Sequence, residues 1–253
     1  MKSKDVFFAD PVVVPEDERQ YYTEEVRYLP NVVSAFFPHE FPEIAPLPAL
    51  TSKVVTFGSF NRLAKVSVEA FKLWSEVLLA VPDSRMIIKA PELDNRGARN
   101  RVMGHFLSAG VAPERITLLG KTNWHEHVTA FNQVDISLDP FPQGGGVTTL
   151  EGLMMGVPVV ALRWPTLVGR LSASILITTG LSEWVADTQE QYLEIALQKS
   201  RDLNILAGLR LDLRKRFKSS IIGDVLAYAT AVEDEYRKLW REWCRKSVEE
   251  DNN

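Results

Sequence analysis

The chain has 253 residues, of which 45% are hydrophobic and 25% charged, a composition typical of globular proteins. Its net charge of −4 argues against a general nucleic-acid surface, and its single cysteine, Cys244, excludes an internal disulfide framework and a cysteine-rich metal site. No apolar run approaches the ~20 residues that cross a bilayer, and the first residues lack the apolar stretch of a signal peptide. We therefore predict a cytoplasmic protein.

Residues 1–50 form a proline-rich segment, with seven of the fourteen prolines. Proline removes a backbone donor and biases the preceding residue towards extended conformations. The composition predicts a largely irregular arm, with a short helix within Glu16–Arg27. Several apolar residues indicate that this arm lies against another surface: Phe36, Phe37, Phe41, Ile44 and Leu47.

Short β-rich runs alternate with helical stretches in residues 51–246. The β-rich runs are Val54–Phe57, Arg85–Lys89, Arg115–Leu119, Asp135–Leu138 and Val157–Leu162. This alternation predicts an α/β domain built on a doubly wound parallel, Rossmann-like sheet. Ligands bind such sheets beyond the carboxyl ends of the strands.

The sequence after Thr188 has an entirely helical pattern. Residues 247–253 are polar and acidic, and we predict a frayed tail there. Apolar residues at helical spacing in the last helix predict a buried stripe: Tyr228, Val232, Tyr236, Leu239 and Trp243.

A glycine run holds the strongest functional signal. An apolar strand ends at a proline-bracketed turn, and glycines 144–146 then precede Thr148, Thr149 and Glu151. Glycine lets the backbone approach an anion, and a helix N-terminus offers unpaired N–H groups to a diphosphate. The alternative is purely structural, because Thr148 and Glu151 have the spacing of a capping box, which needs no ligand. The residues alone leave both interpretations open.

A second polar patch, Phe57–Lys65, follows the first predicted strand of the domain. Lys65 comes just after the strand end, where an ammonium group can neutralise a departing diphosphate. The alternative is a solvated lysine near a helix start. His125 and His127 flank Glu126, but this pair is too small for a metal site without further His or Cys ligands.

These strings resemble the C-terminal catalytic half of the O-GlcNAc transferase/SPINDLY family. Residues 57–65, 126–127, 134–142, 145–151 and 156–160 carry the resemblance in the family's order, and it extends from about Asp5 to Trp240. It implies the C-terminal lobe of a GT-B fold with an irregular N-terminal arm and a helical C-terminus. It also implies an inverting glycosyltransferase that moves a sugar from a UDP-GlcNAc-type donor to Ser or Thr of a protein, without a metal or cofactor.

The resemblance also implies roles for individual residues. Lys65 would act catalytically at the diphosphate, while His127 and the backbone near Thr122 would hold uracil and ribose. Glu151 would take the ribose hydroxyls. The remaining residues implied to bind the donor nucleotide are Asn61, Arg62, Gly145, Gly146, Val147, Thr148 and Thr149.

The chain departs from the family pattern around the glycines. The family usually has Asn before them and a run of threonines after them, whereas this chain has Gly144 and Val147. Gly146 stands where animal members often carry histidine. Val147 removes one hydroxyl donor, and losing a hydrogen bond to a charged group costs ~1.5–3 kcal/mol. Donor affinity and donor identity therefore stay open.

The resemblance implies partners that lie outside this sequence. In the family, an N-terminal Rossmann-like lobe carries the acceptor side, and tetratricopeptide repeats precede it. Residues 1–50 would be the linker from that lobe, and the chain would be inactive without it. The expected partners are a nucleotide sugar and, through the other lobe, a protein acceptor, with no nucleic acid or membrane. The alternative function is a non-catalytic nucleotide-binding or protein-interaction module, because half a cleft cannot supply both substrates.

Overall fold

A computed structural model describes residues 5–31 and 40–251, with side chains through residue 245, so Phe36 and Phe37 lie outside the described residues. No helix in this part of the chain is long and apolar enough to span a membrane. The strands are β1 (Val6–Ala9), β2 (Glu25–Tyr28), β3 (Thr56–Ser59), β4 (Arg85–Lys89), β5 (Ile116–Leu119), β6 (Ile136–Leu138), β7 (Val159–Leu162) and β8 (Val185–Ala186). The α-helices are α1 (Pro48–Ser52), α2 (Val68–Ala80), α3 (Arg96–Ser108), α4 (Trp124–Thr129), α5 (Val147–Met154), α6 (Leu167–Thr178), α7 (Gln189–Lys199), α8 (Leu203–Ser219) and α9 (Val225–Asp251).

Strands β3 to β8 form one parallel sheet in the order β5-β4-β3-β6-β7-β8. The chain builds outward from β3 in one direction and then returns to build outward from β6 in the other. The switch point therefore lies between β3 and β6, where ligands bind in doubly wound folds. The predicted sheet is confirmed, and each of its five predicted strands has a counterpart.

Buried polar side chains fix helices to the sheet. The Asp135 carboxylate accepts hydrogen bonds from the Ala49 N–H (3.0 Å) and the Thr56 N–H (2.8 Å), which ties α1 to the start of β3. The Tyr192 hydroxyl of α7 donates to the Asp139 carbonyl just after β6 (3.0 Å) and accepts from Trp74 Nε1 of α2 (3.2 Å). The hydrogen bond from Tyr192 fixes the position of the loop that follows β6.

The prediction of a largely irregular arm is wrong for β1 and β2, which pair in parallel. A 3₁₀ helix at Glu16–Tyr21 lies between them, inside the segment predicted to hold a short helix. Pairing two short parallel strands depends on tertiary contacts, so local sequence gives little signal for it. The arm also packs on its own domain: Arg170 of α6 donates to both carboxylate oxygens of Glu18 (2.6 and 2.5 Å).

The prediction of a buried stripe on α9 is also wrong. Tyr236 and Trp243 are 60% and 59% exposed, and no side chain that the structure describes on α9 is buried. The helix touches the arm through the rings of Phe8 and Tyr236, whose centroids lie 5.4 Å apart. Its backbone stays helical to Asp251, so the predicted frayed tail is helical up to that residue. Amphipathic spacing identifies an apolar face without specifying what covers it.

Candidate functional site

A cleft of about 350 Å³ opens at the carboxyl ends of β3, β4 and β5, beside the start of α5. Eight of the predicted site residues line it: Asn61, Arg62, Lys65, Thr122, His127, Gly146, Val147 and Thr148. The two predicted patches also touch, because the Thr148 hydroxyl donates to Asn61 Oδ1 (2.9 Å). Parallel strands bring their carboxyl ends to one edge of the sheet, which explains how residues so distant in sequence meet.

Helix α5 begins with uncapped N–H groups at this cleft. Its N-cap is Gly146, which has no side chain, and the first N–H to close onto the helix is that of Leu150, bonded to the Gly146 carbonyl (3.0 Å). Among the hydrogen bonds of the described residues, the N–H groups of Val147, Thr148 and Thr149 have no protein acceptor. Such a helix start is suited to an anion, because unpaired donors and the positive end of the dipole coincide there.

The capping-box interpretation is therefore wrong. Thr148 lies inside α5 rather than at its N-cap, and its hydroxyl bonds to Asn61 instead of to the helix backbone. The Glu151 carboxylate is likewise engaged elsewhere, 3.2 Å from His127 Nε2. Both side chains serve contacts between elements, which leaves the helix start open to a ligand.

A buried carboxylate shapes the glycine loop. The Gly145 N–H lies 2.9 and 3.0 Å from the two carboxylate oxygens of Asp139, and the Ser172 hydroxyl donates to the Gly145 carbonyl (3.0 Å). A Cβ at Gly145 would lie 2.4 Å from Thr149 Oγ1 and 2.7 Å from Asp139 Oδ1, so only glycine fits. Burial raises the pKa of Asp139 to about 6, against hydrogen bonds from Ser172 and Gly145 and the charge of Lys65.

Lys65 joins this loop from the other side of the switch point. It belongs to a 3₁₀ turn, Leu63–Lys65, that follows β3, and its Nζ donates to the Gly144 carbonyl (3.1 Å). The ammonium group is half-buried and lines the same cleft as the start of α5. A positive side chain and a positive helix end thus face one volume, which makes that volume favourable for a multiply charged anion.

His127, which lines the cleft, connects α4 to α5 through Glu151. His127 Nε2 lies 3.2 Å from Glu151 Oε2, and its ring packs against Phe60 and Phe131 at centroid distances of 5.7 and 6.0 Å. The Asn123 side chain caps α4 by accepting from the Glu126 N–H (2.9 Å). The pair offers an imidazole and a carboxylate side by side, a combination that can hold hydroxyl groups. By contrast, His125 is exposed and does not line the cleft.

Three predicted site residues lie beneath the cleft rather than in its lining. Gly145 and Glu151 are buried, and the Thr149 hydroxyl lies 3.2 Å from Ser172 Oγ. The Thr149 side chain is therefore already engaged within the protein, whereas its N–H group at the start of α5 is available. No three His, Cys, Asp or Glu side chains of the described residues come together as a metal site.

Sequence reasoning missed two charged residues at strand ends. Lys89, the last residue of β4, lines the cleft, is 3% exposed and donates from Nζ to the Gly120 carbonyl (2.7 Å). Burial lowers the pKa of Lys89, while the negative charges of Asp94 and Glu126 act in the opposite direction. Asp139 follows β6 and is 2% exposed. A charged residue that ends an otherwise apolar strand was the available signal in both cases.

Comparison with known proteins identifies relatives along nearly the whole chain. The model of glycosyl transferase family 41 matches residues 47–232. A probable UDP-N-acetylglucosamine–peptide N-acetylglucosaminyltransferase SPINDLY from Solanum lycopersicum is 36% identical over 246 residues, which cover 96% of this chain and 26% of that protein. The chain thus spans about a quarter of the length of the curated relatives it matches.

Solved structures agree with the architecture. A mutant of the Thermobaculum terrenum O-GlcNAc transferase matches with a TM-score of 0.89 at 35% identity, covering 96% of this chain and 46% of that one. Sucrose-phosphate synthase from Thermosynechococcus elongatus matches with a TM-score of 0.65 at 12% identity, covering 94% and 59%, and shares the fold alone. The predicted GT-B architecture is confirmed.

Proposed function

Because the chain belongs to glycosyl transferase family 41, we propose that it forms the donor-binding half of a protein O-glycosyltransferase. The proposed reaction transfers a sugar from a UDP-GlcNAc-type donor to a Ser or Thr hydroxyl of a protein. The names of the relatives support this class of reaction, since they describe transfer of N-acetylglucosamine from UDP to a peptide.

One observation carries the proposal: Lys65 and the start of α5 face the same cleft. The diphosphate of a nucleotide sugar would accept hydrogen bonds from the N–H groups of Val147, Thr148 and Thr149, which have no acceptor among the described residues. Lys65 would exchange its bond to the Gly144 carbonyl, or share it, with a phosphate oxygen. Both contacts supply positive charge where the donor is negative.

The same contacts favour departure of the diphosphate. In the proposed step, the oxygen of the acceptor hydroxyl forms a bond to the anomeric carbon, while the bond from that carbon to the diphosphate oxygen breaks. The diphosphate leaves as an anion, and the hydroxyl proton is released to solvent. Negative charge then grows on the diphosphate, and a preorganised ammonium group and helix dipole stabilise it. Because Lys65 and α5 supply this charge, the proposed mechanism needs no metal. Attack opposite the leaving group gives inversion.

The nucleoside is proposed to lie over the ends of β4 and β5. His127 lines the cleft and pairs with Glu151 of α5, so these two side chains suit the ribose hydroxyls. Thr122, exposed on the loop after β5, would contact the base through its backbone. The family resemblance implies these assignments. The order of the sheet supports them, because β5 and β4 lie beyond β3 when counted from β6.

The acceptor protein is proposed to bind a second lobe of the enzyme, in cis or in trans. The chain spans 26% of a curated relative and 46% of a related solved structure, so those proteins contain further regions that this chain does not match. We expect this chain alone to bind the donor without transferring the sugar. The same observation supports the second candidate, a nucleotide-binding module without turnover.

Isothermal titration calorimetry with UDP, UDP-GlcNAc and GDP tests the donor site. We expect Lys65→Met to weaken UDP binding while uridine binding changes little, because uridine lacks the diphosphate. Lys72→Met, on the exposed face of α2, is the matched control. If no nucleotide binds at millimolar concentration, the proposal is wrong. Sugar transfer on adding a relative's acceptor lobe would favour the enzyme over the module.

A further inference from the structure

Lys89 is a buried cation that the donor site described above does not use. It ends β4, is 3% exposed and lines the cleft. An ammonium group has three donor hydrogens. Within the described part of the chain, its one hydrogen bond goes to the Gly120 carbonyl at 2.7 Å. Burial opposes the charged form and lowers the pKa of this lysine, while the negative charges of Asp94 and Glu126 favour the charged form.

The order of the sheet places Lys89 at the nucleoside end of the cleft. The start of α5 follows β6, and β4 lies two strands away from β6 in the order β5-β4-β3-β6. Neighbouring strands lie ≈4.8 Å apart, so the end of β4 is roughly 10 Å from that of β6. This separation is comparable to the span from a diphosphate, through a ribose, to a base. A donor anchored at α5 therefore presents its base near Lys89.

Lys89 also fixes the loop that would meet the base. Its bond to the Gly120 carbonyl joins the end of β4 to the end of β5. Asp94 holds the next residue of this loop, because its carboxylate accepts from the Lys121 N–H (3.2 Å). Thr122 follows directly and lines the cleft. The ammonium group is thus held against the same short stretch of backbone that the proposed function assigns to the base.

We propose that Lys89 selects donors by the group at pyrimidine C4 or purine C6 of the base. It favours a keto oxygen at that position, as in uracil or guanine, over an amino group, as in cytosine or adenine. A lysine can only donate, so it pairs with a carbonyl oxygen and leaves the amino group of cytosine or adenine without an acceptor. This inference rests on the proposed function, since it assumes a nucleotide in the cleft.

Affinities for UDP, GDP, CDP and ADP, measured calorimetrically on the unaltered chain, test the selection without any variant. We expect at least one of the two keto nucleotides to bind about tenfold or more tightly than both amino nucleotides, the effect of one unmatched hydrogen bond to a charged group. Binding of CDP or ADP as tight as that of UDP and GDP would overturn the inference but leave the donor site intact. Absence of binding by all four would overturn both.

Variants then assign the selection to Lys89. In Lys89→Met and Lys89→Gln, the preference for keto bases should fall to about twofold or less, with thermal unfolding measured to verify the fold. Lys72→Met removes an exposed charge from α2, outside the lining of the cleft, and should keep the keto preference of the unaltered chain. If the Lys89 variants fold and retain the preference, or if Lys72→Met loses it equally, Lys89 does not read the base.

Discussion

Replacing Val147 by threonine should tighten nucleotide binding, because it adds a hydroxyl donor at the start of α5. Val147 is the first residue of the helix, lines the cleft and is 64% exposed. A fully buried CH₂ group contributes ≈0.8 kcal/mol, so losing one methyl where about a third of the side chain is buried costs roughly 0.3 kcal/mol. A hydrogen bond to a charged phosphate contributes ~1.5–3 kcal/mol. The net expectation is about a tenfold or larger fall in the Kd of UDP.

Calorimetric titration of UDP and uridine measures this effect. Only UDP should gain affinity, because uridine has no phosphate. Val168→Thr is the matched control, since Val168 lies in the first turn of α6, is 43% exposed and does not line the cleft. If Val147→Thr leaves UDP affinity no tighter than Val168→Thr does, the phosphate is not held at the start of α5, and the reasoning is refuted.

Three further predictions concern the glycine loop and the arm. Gly145→Ala should lower the free energy of unfolding in urea by about 1–3 kcal/mol, because the new Cβ would lie 2.4 Å from Thr149 Oγ1. Gly146→Ala is the control: its Cβ would have no atom within 4 Å, so the change should be less than about 1 kcal/mol, and equal losses in the two variants would contradict the packing argument. Burial raises the pKa of Asp139 from 3.8 to about 6. The folded chain therefore holds the proton more tightly than the unfolded chain, and the free energy of unfolding falls as the pH rises through this interval. The free energy of unfolding of Asp139→Asn should therefore rise by up to about 3 kcal/mol relative to that of the unaltered chain between pH 4 and 7. If the difference in unfolding free energy between the two proteins does not change with pH, the raised pKa is wrong. Arg170→Met should lower the free energy of unfolding by about 2 kcal/mol, less than the ~3–5 kcal/mol of a fully buried pair, because the Glu18 side chain is 33% exposed. Adding Glu18→Gln should restore part of this stability, and a double variant as unstable as Arg170→Met would show that the unpaired Glu18 charge does not cause the loss.

The sheet could be predicted because its signal is local. β4 has the predicted bounds, Arg85–Lys89, since a short apolar run between turn residues leaves few alternatives. Right-handed crossovers restrict the possible orders of the strands, but the order β5-β4-β3-β6-β7-β8 comes from the structure. Pairing of β1 with β2 and the exposed face of α9 were not predictable in this way, because both depend on which surfaces meet in three dimensions.

The sequence could predict that these residues lie near one another, but it could not predict their hydrogen bonds. Because the carboxyl ends of parallel strands meet at one edge of the sheet, Lys65 and Thr148 are expected at that edge. In the structure, Thr148 donates a hydrogen bond to Asn61, which lies four residues before Lys65. The capping-box alternative failed because spacing alone cannot show whether a hydroxyl faces its own helix or another element. Buried Asp139 and Lys89 were missed for a related reason: hydropathy indicates that a charged residue should be solvated, and only the fold reveals its partners.

The most direct test of the central claim is a titration of ¹⁵N-labelled protein followed by NMR. The claim is that the start of α5 holds a diphosphate. The amide signals of Val147, Thr148 and Thr149 should shift on adding UDP and remain nearly unchanged with uridine. Saturable UDP binding that leaves these three signals in place would contradict the account, because the diphosphate would then lie elsewhere.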